Sequence, residues 1–180
     1  VIVGSDGYIV NAIDFTSASY VSPEALELAT VTLDESAECI VRIAMRERGT
    51  TPNPDGTTKY GIWYGNMVND SYYDDAAWCA MFVTWCAYHA NVPSSVIPYT
   101  AWVPNMSGYL NSMGRYHRSA SGGGNYTPQP GDLIFTGVND SGTFASPRHV
   151  GIVAYATADN VYYIEGNYKY WTEETGTSNQ

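Results

Sequence analysis

The sequence predicts an α+β domain in which helices precede a small antiparallel β-sheet. Two segments in the first half, at about 36–48 and 75–91, repeat apolar residues at the spacing of one helix face. Three short segments in the second half, "DLIFT", "HVGIVAY" and "NVYYIEG", are rich in the Val, Ile, Tyr and Phe residues that favour strands. Helices in one part of a chain and strands in another are typical of the α+β class.

The first of the two helices places Ile40 and Ile43 on an apolar face, and Gly49 closes it. A short helix is also predicted before it, at residues 22–29. The segment 50–70 contains many Pro, Gly and Asn residues, and we therefore predict a loop there.

The second helix is predicted to begin after Asp74 and Asp75, which suit an N-cap, and to stop at Asn91. A short helix could follow within "SGYLNSMGRYH". The tight loop "ATAD" should join the last two strands as a hairpin.

The composition excludes several classes of function. Eight basic and 18 acidic residues give a net charge of −10, so we expect neither nucleic-acid binding nor attraction to an anionic membrane surface. No apolar stretch approaches the roughly 20 residues of a membrane span. Low charge with many Tyr and Gly residues is typical of extracellular bacterial proteins. We expect a monomer, or one module of a longer chain.

The pattern divides the chain into three parts. Residues 1–33 are predicted to be an extension or linker, in which strand-like "VIVG" and "YIVNAIDF" flank the turn signal "SDG" and could form a hairpin. Residues 34–170 form the predicted catalytic domain. Residues 171–180 are a polar tail.

Three cysteines are too few, and odd in number, for a disulfide scaffold. Cys79 and Cys86 lie seven residues apart on the predicted helix, so their Cα atoms would be roughly 10 Å apart. A disulfide requires less than about 7 Å. Cys86 and His89 could share a metal, but no CxxC or HExxH pattern accompanies them, and we expect no metal site there.

The two helical cysteines differ in their expected surroundings. Cys79 falls in the first turn, where unpaired N–H groups and the positive end of the helix dipole stabilise a thiolate. Cys86 falls in mid-helix, where a cysteine is usually a small buried hydrophobe. If one of them is reactive it is Cys79; the alternative is that both are core residues.

The second half supplies the partners that a thiolate needs. His149 opens one predicted strand and Glu165 closes the next, so a hairpin would bring them together. A carboxylate beside a histidine orients its imidazole and stabilises the imidazolium, and Asn167 could serve as a second orienting group. The rival bases are less suitable, because His89 lies some 15 Å along the helix from Cys79 and His117 is expected to be exposed.

The ordered series "KYGIWYG", "WCAMFVTWCA", "PQPGDLIF", "RHVGIVAY" and "YYIEGN" resembles the CHAP family over roughly residues 36–168. These are cysteine- and histidine-dependent amidohydrolases and peptidases, within the papain-like thiol hydrolases of bacteria and phages. The resemblance implies a papain-like fold, Cys79 as nucleophile, His149 as general base and Glu165 as third member, with Asn167 nearby. It also implies a secreted, cell-wall-associated or phage-encoded protein that cleaves amide bonds in peptidoglycan.

Aromatic residues are the expected substrate contacts. A hydroxyl of Tyr72 or Tyr73, just upstream of the nucleophile, could donate to the oxyanion. Trp63 and Trp102 could line a groove for glycan or peptide.

We expect no cofactor. Some members of the family carry a calcium loop before the nucleophile, but here only Asn53 and Asp55 in "NPDGTT" are of that kind.

Three functions remain open. The first is a peptidoglycan hydrolase, either an N-acetylmuramoyl-L-alanine amidase or an endopeptidase of the stem or cross-bridge. The second is another papain-like activity: a transpeptidase, an isopeptidase or a deamidase. The third is a catalytically silent module that binds the cell wall.

Overall fold

The computed structural model describes residues 35–118, 123–137 and 147–168, together with the backbone of four two-residue strands near the chain ends. Within these residues there are four α-helices and a three-stranded antiparallel sheet, which confirms the α+β class. The helices are α1 (Glu35–Arg46), α2 (Lys59–Val68), α3 (Cys79–His89) and α4 (Val103–Ser112). The sheet consists of β3 (Leu133–Thr136), β4 (His149–Ala156) and β5 (Val161–Glu165), and the short strands are β1 (Ile2–Val3), β2 (Ile9–Val10), β6 (Tyr170–Trp171) and β7 (Ser178–Asn179).

The short strands form two separate antiparallel pairs, β1 with β2 and β6 with β7. The pair β1–β2 falls where the N-terminal hairpin was predicted. The helix predicted at 22–29 lies outside the described residues, and the three-part division of the chain stays a prediction.

Helix α1 closely follows the expected segment. Its inward residues Ile40, Val41 and Ala44 are buried, and Gly49 beyond its end has the positive φ (82°) that glycine adopts readily.

Helix α2 corrects the prediction of a loop between residues 50 and 70. Thr58 caps it, since its hydroxyl accepts a hydrogen bond from the N–H of Gly61 at 2.9 Å. Gly61 and Gly65 lower helix propensity, but a Cβ atom at Gly61 would overlap the carbonyl oxygen of Tyr73. At Gly65 it would lie 2.8 Å from the carbonyl oxygen of Asp70. The glycines therefore let α2 pack on the turn that precedes α3.

Helix α3 begins later than predicted. Its N-cap is Trp78, whereas Asp74 ends a 3₁₀ turn at Ser71–Tyr73 that Asp70 caps. The carbonyl of Asp74 also accepts the N–H of Thr58 at 2.9 Å, which ties this turn to the start of α2. As predicted, the helix stops before Asn91, whose φ of 55° is left-handed.

Helix α4 lies earlier in the chain than the short helix predicted within 107–117. It has a proline in its first turn, where the missing N–H costs nothing.

The three predicted strands are confirmed, and the loop between β4 and β5 is short. Helix α3 is buried on nearly all sides, packing against α1, α2, β4 and β5. The β4 residues Val150, Ile152 and Ala154 share its hydrophobic core. This packing fixes the N-terminal end of α3 relative to the sheet. No helix in the described part of the chain is long and apolar enough to cross a lipid bilayer.

Candidate active site

Cys79 is the first residue of α3, and only 5% of its surface is exposed. The N-cap residue Trp78 makes no side-chain cap, and the first hydrogen bond of the helix runs from the N–H of Phe82 to the carbonyl of Trp78, at 2.8 Å. The earlier N–H groups of the helix are therefore available as donors beside the thiol.

A glycine brings Cys79 to the end of the sheet. Gly166 follows β5, and a Cβ atom there would overlap the ring of Trp78 and lie 2.9 Å from Cβ of Phe82. On its other side, the Trp78 ring stacks on Tyr60 of α2, with centroids 5.0 Å apart. Trp78 is thus held between α2 and the end of β5, next to the thiol. This role of Gly166 was not predicted, because the only signal in the sequence is a glycine directly after Glu165.

His149 and Glu165 meet as predicted from the hairpin. Gly151 lies opposite Glu165 in the β4–β5 register, so His149, two residues earlier, lies diagonally across on the same face. Nε2 of His149 is 2.7 Å from Oε2 of Glu165. The two side chains are only 20% and 10% exposed, so solvent screens this pair weakly.

Cys79 lies close enough to the ring of His149 to raise the pKa of the imidazole. Because Nε2 is engaged by Glu165, Nδ1 is the ring nitrogen left for the thiol. Burial by itself lowers the pKa of His149. The neighbouring Cys79 side chain, together with the hydrogen bond and the charge of Glu165, outweighs burial and raises the pKa from 6.5 to about 9. This environment favours the imidazolium.

Asn167 lies just beyond β5, with a left-handed φ of 59° and a partly buried side chain. Among the described residues, the hydrogen-bond partner of the His149 ring is Glu165, and Asn167 is neither bonded to this ring nor among the groups that shift its pKa. An orienting role for Asn167 stays a prediction.

The rival histidines lie elsewhere. His89 ends α3 and packs on Trp85, with ring centroids 4.2 Å apart. His117 is exposed and stacks on Tyr126 at 4.3 Å. Of the three histidines, His149 is therefore the one that contacts Cys79.

The four predicted substrate contacts fall in different places. Trp63 packs on Tyr88 and His89 at the far end of α3, about 15 Å along the helix from Cys79. Its position gives no support to a contact beside the thiol.

Tyr72, Tyr73 and Trp102 are connected through Tyr64. The ring of Tyr73 packs edge-on against Tyr64 at 4.9 Å and against Tyr72 at 5.4 Å. Burial raises the pKa of Tyr64, and the backbone of Ala101, the neighbour of Trp102, lies close enough to oppose this shift. Tyr72 and Trp102 are 73% and 61% exposed, the highest values among the large apolar side chains described. They offer aromatic surface to a ligand.

The segment with Asn53 and Asp55 closes on itself. Oδ1 of Asp55 accepts the N–H of Thr57 at 3.0 Å and its hydroxyl at 2.7 Å, and these bonds lower the pKa of Asp55. Within the described residues no group of three or more His, Cys, Asp or Glu side chains could hold a metal ion. Calcium binding here stays untested.

The fold and the site together define a class: an α+β domain with a Cys–His–Glu cluster at a helix N-terminus. The family model described as "CHAP domain" matches residues 71–167, which is 97 of the 180 residues. The chain therefore belongs to the CHAP family. Members are amidohydrolases and peptidases that often act on peptidoglycan. Searches of curated proteins and of solved structures found no significant match.

Proposed function

We propose that this protein hydrolyses an amide bond of bacterial peptidoglycan through an acyl-enzyme on Cys79. The observation that carries the proposal is the position of His149, which is hydrogen-bonded to Glu165 and lies beside Cys79 at the N-terminus of α3. A nucleophile, a base in contact with it and a group that orients the base are the parts that nucleophilic catalysis requires.

Each step uses a group of this cluster. The Cys79 thiolate attacks the amide carbonyl carbon and forms a C–S bond, while the electron pair of the C=O bond moves to the oxygen. Free N–H groups of the first turn, including that of Cys79, stabilise this oxyanion. When the C–N bond breaks, the His149 imidazolium gives its proton to the leaving amine.

Water then completes the reaction. His149, now neutral, takes a proton from water as the oxygen attacks the thioester. The C–S bond breaks with its electron pair on sulfur, a carboxylic acid leaves, and the thiolate–imidazolium pair is restored. Glu165 stays ionised and stabilises the imidazolium throughout.

The exposed rings of Tyr72 and Trp102 support a role in holding the substrate, because aromatic faces bind the apolar faces of sugars and peptide side chains. A wall substrate also implies action outside the cytoplasm, either as a secreted protein or as a phage product.

Digestion of purified peptidoglycan followed by mass spectrometry tests the proposal. A new muramic acid carboxyl and a free L-alanine amine would identify an amidase, and new ends within the peptide would identify an endopeptidase. Joined peptides would indicate a transpeptidase, and loss of side-chain amides a deamidase. If the protein binds the cell wall but releases no new chain ends, and Cys79→Ala binds equally well, the proposal of a hydrolase is wrong.

A further inference from the structure

Three residues of the sheet interlock beside the proposed active site. In the β4–β5 register Gly151 lies opposite Glu165 and Val153 lies opposite Tyr163, so all four residues belong to one face. A Cβ atom added to Gly151 would lie 2.7 Å from Cδ2 of Tyr163 and 3.3 Å from Cβ of Glu165. The ring of Tyr163 and the base of the Glu165 side chain therefore fill the space that any larger residue at position 151 would need.

Tyr163 is fixed in this position by burial. Only 4% of its surface is exposed, and it lies two residues before Glu165 on the same face of β5. Its hydroxyl is buried without a hydrogen-bond partner in the part of the chain that the structure describes. Burial raises the pKa of this phenol, and the charges of Glu165 and Tyr168 raise it further, which places the hydroxyl within electrostatic range of the carboxylate. A buried unpaired hydroxyl is unfavourable, so the stabilising part of this side chain is its ring.

We propose that the ring of Tyr163, seated in the gap left by Gly151, is a positioning element that holds Glu165 against His149. A glutamate side chain has three rotatable bonds and loses its preferred direction when nothing packs beside it. The Tyr163 ring and the Glu165 stem both border the gap at Gly151, and His149 receives the carboxylate at its tip, 2.7 Å away. In this proposal Tyr163 acts through Glu165 rather than directly on the thiol or the imidazole.

The inference rests on the proposed roles of His149 and Glu165, but its main test does not require turnover. The protein has three histidines, so NMR can follow the imidazole of His149 through a pH titration. The titratable groups that act on His149 are Cys79 from α3 and Glu165 from β5. Tyr163→Ala should let the carboxylate swing away, and the pKa of His149 should fall from about 9 toward its ordinary 6.5.

Two variants separate positioning from ordinary packing. Tyr163→Phe keeps the ring and should keep the raised pKa of His149, with a higher Tm because the unpaired hydroxyl is gone. Val153→Ala removes buried apolar volume opposite Tyr163 on the same face, where its side chain is 1% exposed. It should lower the Tm without moving the pKa. An unchanged pKa in Tyr163→Ala, or an equal shift in Val153→Ala, would overturn the inference.

Gly151→Ala tests the same unit from the other strand. The new methyl group must displace the Tyr163 ring, so this variant should also lower the pKa of His149. In the double variant Gly151→Ala/Tyr163→Ala, the pKa of His149 should fall little further than in either single variant, because both changes act through one contact. A shift equal to the sum of the two single shifts would contradict the proposal.

Hydrolysis gives a separate readout. If the proposed activity holds, Tyr163→Ala should lower kcat by roughly 10- to 100-fold, the range seen when a group that orients a functional side chain is lost, with little change in KM. If the wild type shows no hydrolysis while the NMR shifts appear as expected, the proposed function fails and the positioning role stands.

Discussion

The two ends of helix α3 carry the same pair of residue types in very different surroundings. At the N-terminal end, Cys79 contacts His149, which in turn bonds to Glu165 at 2.7 Å. At the other end, Cys86 is fully buried, and His89 is exposed and packed on an aromatic ring.

The two thiols have different surroundings. Burial raises the pKa of Cys86, and the charge of Glu47 raises it further although Lys59 acts against this. Cys79 instead lies at the uncapped, positive end of the helix with a base in contact. The position of a cysteine along the helix dipole, and its distance from His149 on the sheet, therefore distinguish the candidate nucleophile from the core cysteine.

The largest expected effect comes from replacing the cysteines one at a time. Cys79→Ala should abolish hydrolysis of peptidoglycan with folding intact. Cys86→Ala should keep most of the activity and lower the free energy of unfolding by about 1 kcal/mol. Product release and urea denaturation, measured on both variants, check the contrast. Full activity in Cys79→Ala would show that the nucleophile is another group.

Replacing the histidines should give a similar contrast. His149→Ala should be close to inactive, because neither other histidine contacts the thiol. His89→Ala removes a ring that packs on Trp85 and should retain near wild-type kcat/KM. A comparable loss of kcat/KM in the two variants would contradict the contrast, because it would show that His89 is also required for activity.

A smaller effect is expected from the orienting groups. Glu165→Gln keeps the shape of the side chain but loses the charge that stabilises the imidazolium, so kcat should fall by roughly 10- to 1000-fold, within the ~10⁴ limit for a triad carboxylate. Asn167→Ala should cost less than Glu165→Gln. Steady-state kinetics decide the order, and the reverse order would transfer the orienting role to Asn167.

The smallest effect concerns pH. The pKa of His149 is raised from 6.5 to about 9, so the folded state holds a proton that the unfolded state releases between these values. The ion pair with Glu165 should therefore contribute full stability below about pH 6.5 and lose it as the pH rises through about 9. The difference in Tm between wild type and Glu165→Gln should shrink from pH 6 to pH 10. A difference independent of pH would show that the pair does not hold an imidazolium.

The local sequence pattern predicted the three strands correctly, but it missed helix α2 and misplaced the start of helix α3. The β-branched and aromatic segments gave the three strands, and the short loop between the last two brought His149 beside Glu165. Helix α2 was missed because Gly61 and Gly65 lower the helix propensity of the segment. In the structure these two glycines allow close contact with the turn at 70–74. The start of α3 was misplaced because Asp74 takes part in that same turn.

The sequence by itself determined the α+β class, the candidate nucleophile, base and carboxylate, and the pairing of the last two. These follow from residue periodicity and from short-range connections, which a linear pattern records. Only the tertiary structure decided which side chains pack around Cys79, His149 and Glu165. The ring of Trp78 packs against Gly166, and the ring of Tyr163 packs against Gly151. It also placed Trp63 away from Cys79 and put Glu165 on the imidazole. The physical reason is that contacts between distant segments depend on which side chains fit into the same space. A glycine in the sequence indicates that space is needed, but it does not indicate which ring occupies that space.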